Sequence, residues 1–465
     1  MSCTTAPYIM AERIDFGYLV PKLVGEDGTF DSANVSIIQD ILDSNSYRRS
    51  DEVALRNWYR GTGAPINTRT LKKGDIEVTN KINNKIQQNY LRRLTRIRTG
   101  YLGGNPVKYT LNSDYYKSED AINSAFINMT KFMKQSNLND IHSESIADCT
   151  LYGQSGLLLY IDTPPFSDDK KPSILAMHVN GYDCLFLASR IWWMPELSIR
   201  YVYEETDSVT VEVYDSKYIH TITDGLYISK TEHKLGHNPL IPYYNNIDRL
   251  GNMEDSLSKI NDIDEQRSNL SSLLTTQRLV LKIFKDVDID TDTVEKTEQM
   301  GYIKLKTNES GQGEVYFEEL NIDSDATEKH IEELDRSVYL DAGIVNLDDK
   351  KFGNESGEAK KYYLISMEAN CVDTEAKHKA SDYIMWGIVS AFYSRINVPL
   401  VADSIEIEWQ RNLPTAVSDE VEAFSTVFGK VPIETAYSLL SFIKDPVSEA
   451  LAYQEEQKVK PSVEG

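Results

Sequence analysis

VNLDDKKFGNESGEAKKYYLISMEANCVDTEAKHKASDYIMWGIVSAFYSRI, residues 345–396, decides the reading of this chain, because a polar, lysine-bearing loop runs straight into one uninterrupted helical pattern. Helices of globular domains mostly run about 8 to 20 residues. Taken from 357 to 396, this one would span roughly 58 Å at about 1.5 Å per residue, the length of a spine rather than of an ordinary packing element. Ser356 is placed to cap it, and Glu358 stands in its first turn, where the helix dipole favours an anion. Its expected stripe is Tyr362, Ile365, Ala369, Val372, Ala376, Ala380 and Tyr383, and the small residues at its centre would let another backbone approach closely. A helix of this kind points to a part of an assembly rather than to an enzyme.

Upstream of it, two shorter helical patterns bracket a compact α/β lobe. Asn252 can cap the first, with Glu254 and Asp255 in its first turn and an apolar stripe of Leu257, Ile260, Ile263, Leu270 and Leu274 to about Gln277. The lobe has strand patterns LVLKIF from Leu279 and GYIKLK from Gly301, and the second helix runs from Thr327 to Ala342 with Ile331, Leu334 and Val338. Further back, Gly156 to His233 alternates with period two, with turns at Asn180-Gly181 and Asp224-Gly225, and so reads as sheet-rich. Lys81 to Arg98 reads as an amphipathic helix with Ile82, Ile86, Tyr90, Leu94 and Ile97 on one face, and residues 1 to about 50 as short helical patterns with turns. Downstream, SIEIEW from Ser404 is a strand, and short helices follow Pro414 before a polar tail.

The 465 residues, 41% hydrophobic and 10% aromatic, suffice for several cores. With Lys+Arg 49 against Asp+Glu 72, the net charge of −23 excludes a broadly basic grip on nucleic acid; an acidic surface suits DNA that must pass without sticking. Cys3, Cys149, Cys184 and Cys371 are far apart, which suggests neither a disulfide framework nor a thiolate metal site. The apolar run IMWGIVSAFY from Ile384 is about half of the ~20 residues a membrane span requires, and the N-terminus carries Glu12, Arg13 and Asp15, so no membrane helix or signal peptide is expected.

Four segments, in this order, resemble the portal proteins of tailed bacteriophages, in the branch common among long-tailed phages of Gram-positive hosts: NKINNKIQQNY through GYLGGNPVKY (Asn80 to Tyr109), LGHNPLIPYYNN (Leu235 to Asn246), FGNESGEAKKYY (Phe352 to Tyr363) and GKVPIETAYSLLSFIKDPVSEALAYQEE (Gly429 to Glu456). Each segment is individually weak; their order and spacing carry the resemblance, which covers most of the chain. Lys360 stands where the family usually has a leucine, and Asn57 to Gly61 is only loosely family-like. The resemblance implies an α+β portal fold. Its parts would be an N-terminal arm and α/β wing (1–250), stem helices (251–278 and 323–344), a small α/β clip (279–322), a channel loop (345–356), a long spine helix (357–396), a returning wing strand (397–415) and a helical crown with a polar tail (416–465). It also implies a ring, typically of twelve copies, at one capsid vertex, made in the host cytoplasm and carried in the virion. Double-stranded DNA would pass through its channel. Its partners would be the major capsid protein, scaffolding protein, the terminase large subunit and head-completion or adaptor proteins, with no membrane, no cofactor and no catalysis of its own.

On that reading Lys350, Lys351 and Asn354 face the channel, and a ring of lysines within an acidic tube makes weak, sequence-independent phosphate contacts that slide. The plainer alternative is an exposed loop that its lysines merely solvate. Arg92, Arg93, Arg96 and Arg98 could present a nucleic-acid patch, but the preferred reading has them meet the acidic surface of a neighbouring subunit or scaffold. In DVDIDTDTVE from Asp286, Thr291 and Thr297 stand where a calcium loop needs glycine and glutamate, which favours a solvated acidic turn. His233 and His237 have zinc spacing only on a helix, which Gly236 argues against, so with His220 they read as structural or surface residues. No GxxxxGK[ST] phosphate loop exists, and GQSG at Gly153 lacks the spacing of a nucleophile elbow. The competing function class is a nucleic-acid-processing enzyme subunit of a packaging machine.

Overall fold

The computed structural model describes residues 10–70, 72–73, 76–77, 82–164, 171–189, 194–205, 208–277, 281–285, 314–318, 324–346, 364–412, 417–440, 443, 449–450 and 452–453. The chain divides into two units, Met1–Gln410 and Arg411–Gly465. The first mixes helices with antiparallel sheets, as the α+β reading expects.

A short α1 (Val20–Leu23) precedes α2 (Val35–Arg60), a single 26-residue helix. The sequence suggested shorter pieces here because the buried face of α2 is not apolar throughout. Ile38, Ile41, Leu42, Leu55 and Trp58 are interrupted by Asn45, Arg48, Arg49 and Glu52, all buried. Ion pairs make that burial tolerable: Arg48 reaches Glu52 at 3.0 Å and Glu254 at 2.7 Å, and Arg13 reaches Glu52 at 2.6 Å. Gly61, at φ 90°, closes the helix in the left-handed conformation.

After a short hairpin, β1 (Lys72–Lys73) with β2 (Ile76–Glu77), helix α3 runs Tyr90–Gly103. The expected start at Lys81 is corrected. Residues 82–89 are not helical, because their backbone is held elsewhere. The N–H groups of Asn84, Ile86 and Gln88 donate to Ser272 Oγ, Ser268 Oγ and Asp264 Oδ1 at 2.7–2.9 Å, and Asn89 then caps α3 by accepting from the Arg92 N–H. Ile82 and Ile86 thus belong to a strap laid along another helix, which apolar periodicity alone could not distinguish from a first helical turn.

Strand β3 (Lys108–Leu111) leads to α4 (Glu119–Gln135) and α5 (Leu138–Tyr152). The sheet region begins where period-two alternation does, with β4 (Gln154–Asp162), β5 (Ser173–Val179), β6 (Cys184–Leu187), β7 (Leu197–Glu205), β8 (Ser208–Tyr214), β9 (Tyr218–Thr223), β10 (Leu226–Glu232) and β11 (Leu240–Tyr244). These form a three-stranded sheet ordered β11-β4-β5 and a five-stranded meander ordered β10-β9-β8-β7-β6. Asp224 and Gly225, at φ 51° and 72°, make the β9–β10 turn that the sequence announces.

Helix α6 (Leu257–Gln277) and α7 (Ser324–Ala342) flank strands β12 (Leu281–Lys285) and β13 (Glu314–Glu318), which pair antiparallel. The expected strand at 301–306 lies outside the described residues. Helix α8 (Ile365–Arg395) is the long helix, and β14 (Ile405–Glu408) returns to pair with β3. One large core joins α3, α5, β4, β11, α6, α7 and α8 through residues such as Leu94, Ile146, Leu157, Tyr243, Ile260, Val338 and Trp386. In the second unit, α9 (Val417–Val427) and α10 (Ile433–Tyr437) carry an aromatic cluster of Phe424, Phe428, Tyr437 and Tyr453.

Candidate functional site

The stretch that decides the sequence reading is anchored at both ends in the large core. Helix α7 stops at Gly343, which takes φ 62° and lies so close to Asn370 on α8 that a Cβ would collide with that amide. Ile344 is buried, and Val345 on one side and Leu364 on the other pack against the same apolar cluster. Val345 and Leu364 therefore share one seat in the core. Lys350, Lys351, Asn354 and Ser356 fall in 347–363, outside the described residues. The long helix starts at Ile365 with Leu364 in its N-cap position, which corrects the expected unbroken helix from 357 capped by Ser356.

A polar thread stiffens that seat. Arg98 on α3, 1% exposed, donates to Thr150 Oγ1 on α5 at 2.8 Å and to Thr374 Oγ1 on α8 at 2.5 Å. The Thr374 hydroxyl lies within 2.9 Å of the Asn245 carbonyl, Asn245 donates to Asn252, and Asn252 Nδ2 donates to the Ala342 carbonyl at the end of α7. Five polar side chains thus tie α3, α5, α8, the end of α7 and the turn after β11 into one unit.

A second buried cluster lies further along α8. Asp382, fully buried, accepts from Tyr243 Oη at 2.5 Å and Tyr109 Oη at 3.1 Å, with His142 Nε2 3.1 Å away and His142 Nδ1 2.8 Å from the Leu138 carbonyl. Burial, and then the Asp382 charge, push both tyrosine pKa values well above 10, so both are neutral donors. His378 stands edge-on to Tyr243 and Trp409, and burial pushes its pKa well below 6.5, so the ring is neutral. The His-Asp-Tyr composition is that of acid–base chemistry, but burial seals it from solvent, and its chemistry here is cross-linking of α5, β3, β11 and α8. Sequence reading missed this cluster. Its signal was available, since Thr374, His378, Ser381 and Asp382 recur at helical spacing on the face of α8 opposite the noted stripe.

The arginine group separates. Arg98 is internal, as described, and does not reach a surface. Arg92 donates to the carbonyls of Tyr59 and Arg60 at 3.1 and 2.7 Å. Arg93 lies 4.0 Å from Asp335 and over the rings of Tyr90 and Tyr339, and Arg96 is exposed. His220 pairs with buried Asp215 at 2.7 Å. Between His233 and His237 the backbone turns through Lys234 and Gly236, both at positive φ, so the two rings do not share a helical face. Among the described residues no three His, Cys, Asp or Glu side chains gather in a way that could hold a metal ion, and no helix is long and apolar enough to cross a membrane. The acidic stretch from Asp286 lies outside the described residues.

The sequence model of a family described as "Phage portal protein, SPP1 Gp6-like" matches residues 38–460. No curated protein matches the chain. Among solved structures, a chain from "Neck of empty GTA particle computed with C6 symmetry" is similar with a TM-score of 0.45 and 10% identity, over 75% of this chain and 88% of that one.

Proposed function

The chain belongs to the SPP1 Gp6-like family of phage portal proteins, and from that membership we propose that it forms the ring through which viral DNA enters and leaves one vertex of the capsid. The family match across 38–460 carries this reading. The shared seat of Val345 and Leu364 supports it, because a cross-linked core gives the chain between α7 and α8 a base that does not deform.

In this reading the ring has twelve copies, belongs to the branch of phages with Gram-positive hosts, and is made in the host cytoplasm before it joins the virion. Residues 1–250 and 397–415 are the wing, 251–278 and 323–344 the stem, 279–322 the clip, 345–356 the channel loop, 357–396 the spine and 416–465 the crown and tail. Lys350, Lys351 and Asn354 contact the DNA backbone. Scaffolding and major capsid proteins meet the wing, and the terminase large subunit and later a head-completion protein dock on the clip. The ring supplies a passage and a dock, and the terminase supplies the energy.

The test is particle mass with negative-stain imaging of the purified chain. Twelve copies of 52.9 kDa should give a holed ring of roughly 0.63 MDa. A monomer or compact dimer, with and without scaffolding protein, would overturn the proposal. Turnover of ATP with magnesium, or cleavage of DNA with magnesium, would instead favour an enzyme subunit of the packaging machinery.

A further inference from the structure

We infer that the ring closes by seating the exposed face of α3 of one copy on the exposed face of α8 of the next, an interface that rests on the ring reading. The first observation is what α8 leaves uncovered. Its core side carries Met367, Cys371, Thr374, His378, Ser381 and Met385, all buried, whereas the apolar stripe noted in the sequence points outward. Ile365, Val372 and Tyr383 are 58%, 53% and 53% exposed, and Ala369 and Ala376 between them are exposed as well. An apolar row of this length on one helix marks a contact surface.

The second observation is Gly387, one turn beyond Tyr383. A mid-helix glycine weakens a helix relative to alanine and normally answers a close approach. Gly153, Gly181 and Gly251 each have backbone atoms where a Cβ would stand, but a Cβ on Gly387 would meet nothing within 4 Å. The described residues give Gly387 no internal reason. It lines an apolar groove of about 640 Å³ together with Tyr383, Ile388, Met194 and Pro242, so the stripe continues into a depression able to receive side chains from outside.

The third observation identifies the occupant. Helices α3 and α8 touch through Arg98 and Thr374 and through Tyr101 and Glu368. At about 100° per residue, the stripe residues of α8 lie roughly 140–180° around the helix from Thr374, and Arg93, Arg96 and Gly100 lie roughly 140–160° around α3 from Arg98. The two exposed faces therefore point away from each other across the α3–α8 pair. That is the disposition a head-to-tail contact requires, one patch on each side of the subunit and neither complementary to itself. The faces also match in chemistry. Gly100 is exposed with nothing near its Cβ position, so α3 can approach the alanines of α8 closely. Arg96 makes no ion pair with another described residue, and Asp373 borders the stripe, its side chain 47% exposed and 3.9 Å from Lys377, loose enough to take a second cation. A second copy of this chain fits both patches at once.

The test uses the full-length chain and ring yield by particle mass. Ala369→Arg with Ala376→Arg should set cations against Arg93 and Arg96 and reduce the ring fraction by roughly tenfold or more. Arg93→Glu with Arg96→Glu should restore rings when combined with that pair. Ala369 and Ala376 are solvent-facing, so the melting temperature of the unassembled arginine variant should stay unchanged. Arg93→Glu also removes the contacts of Arg93 with Asp335, Tyr90 and Tyr339, so its rescue is read against the ring yield of Arg93→Glu with Arg96→Glu alone. Independently of folding effects, Gly100→Cys with Ala376→Cys in a Cys3→Ser background should give ladders of cross-linked copies from assembled rings. Wild-type rings with full yield from the arginine variants, or without inter-copy cross-links, would overturn this interface and leave the portal reading standing. A wild-type chain that forms no rings would remove both.

Discussion

Arg98 on α3 donates to Thr374 on α8 at 2.5 Å in a fully enclosed site where no carboxylate lies within ion-pairing distance among the described residues. Burial pushes the guanidinium pKa down, and its partners are hydroxyls, with the Cys371 and Cys149 thiols nearby. A buried cation held by two hydroxyls and the Cys371 thiol is sensitive to losing one of them. Thr374→Val should therefore destabilise the first unit by about 2–4 kcal/mol in chemical denaturation, by stranding one guanidinium nitrogen. Arg98→Met should cost less than about 1.5 kcal/mol, and Thr374→Val should cost less in the Arg98→Met background than alone. Equal losses in both backgrounds would show that the pair is not coupled.

Asp264 on α6 accepts the Gln88 N–H at 2.7 Å, while its other oxygen is buried without a partner among the described residues, and burial raises its pKa from 3.8 to about 7. The folded chain thus holds a proton that the unfolded chain releases between those values. Stability from this group is present below pH 3.8 and is lost as pH rises towards 7. Asp264→Asn keeps the acceptor for Gln88 without a charge. Its stability relative to wild type should rise between about pH 4 and 7 and level off above, reaching on the order of 1–3 kcal/mol. A difference independent of pH would refute the assignment.

Glu52 holds both Arg13 and Arg48 in the middle of α2, and Arg48 continues to Glu254 beside the start of α6. Glu52→Ala leaves Arg13 without an ion-pair partner among the described residues. The expected loss is about 3–5 kcal/mol in urea denaturation, far above that of an exposed pair such as Lys108–Glu408. A loss below about 1 kcal/mol would mean that water reaches the cluster.

Lys350→Glu together with Lys351→Glu should lower the yield of packaged DNA while ring mass and melting temperature stay unchanged. An unaltered yield of full particles would remove the lysines from the DNA path and leave a solvated loop.

The parts of this fold that were legible were those with one dominant period. The alternation of 156–233, the start of α6 through Leu257, Ile260 and Ile263, the 327–342 helix and the Ile405–Glu408 strand all stand where the pattern places them, although the expected stripe of α6 ends in an exposed Leu274. Two failures share a cause. In α2, ion-paired arginines occupy core positions, and in residues 82–89 the backbone bonds to side chains of α6, so hydrophobic periodicity did not report the local structure. On α8 the sequence shows two stripes, one apolar and one polar, and the polar one is the buried one. Nothing local distinguishes them, since the partners that make Asp382 and Thr374 acceptable inside the chain come from residues more than a hundred positions away.

The strap of Asn84, Ile86 and Gln88 works like a vernier. Two residues of extended chain advance about 6.6 Å, and four residues of helix advance about 6.0 Å, so successive rungs drift apart by roughly 0.6 Å. Three rungs absorb that drift within the tolerance of a hydrogen bond, and a longer ladder would not, which accounts for α3 beginning where the strap ends. The next notch down α6 is Ile260, which offers no acceptor, so the strap cannot slide to a lower setting. A single inserted residue between 84 and 88 would turn some of its donors away from the helix, whereas an inserted pair would keep the parity and cost only one rung.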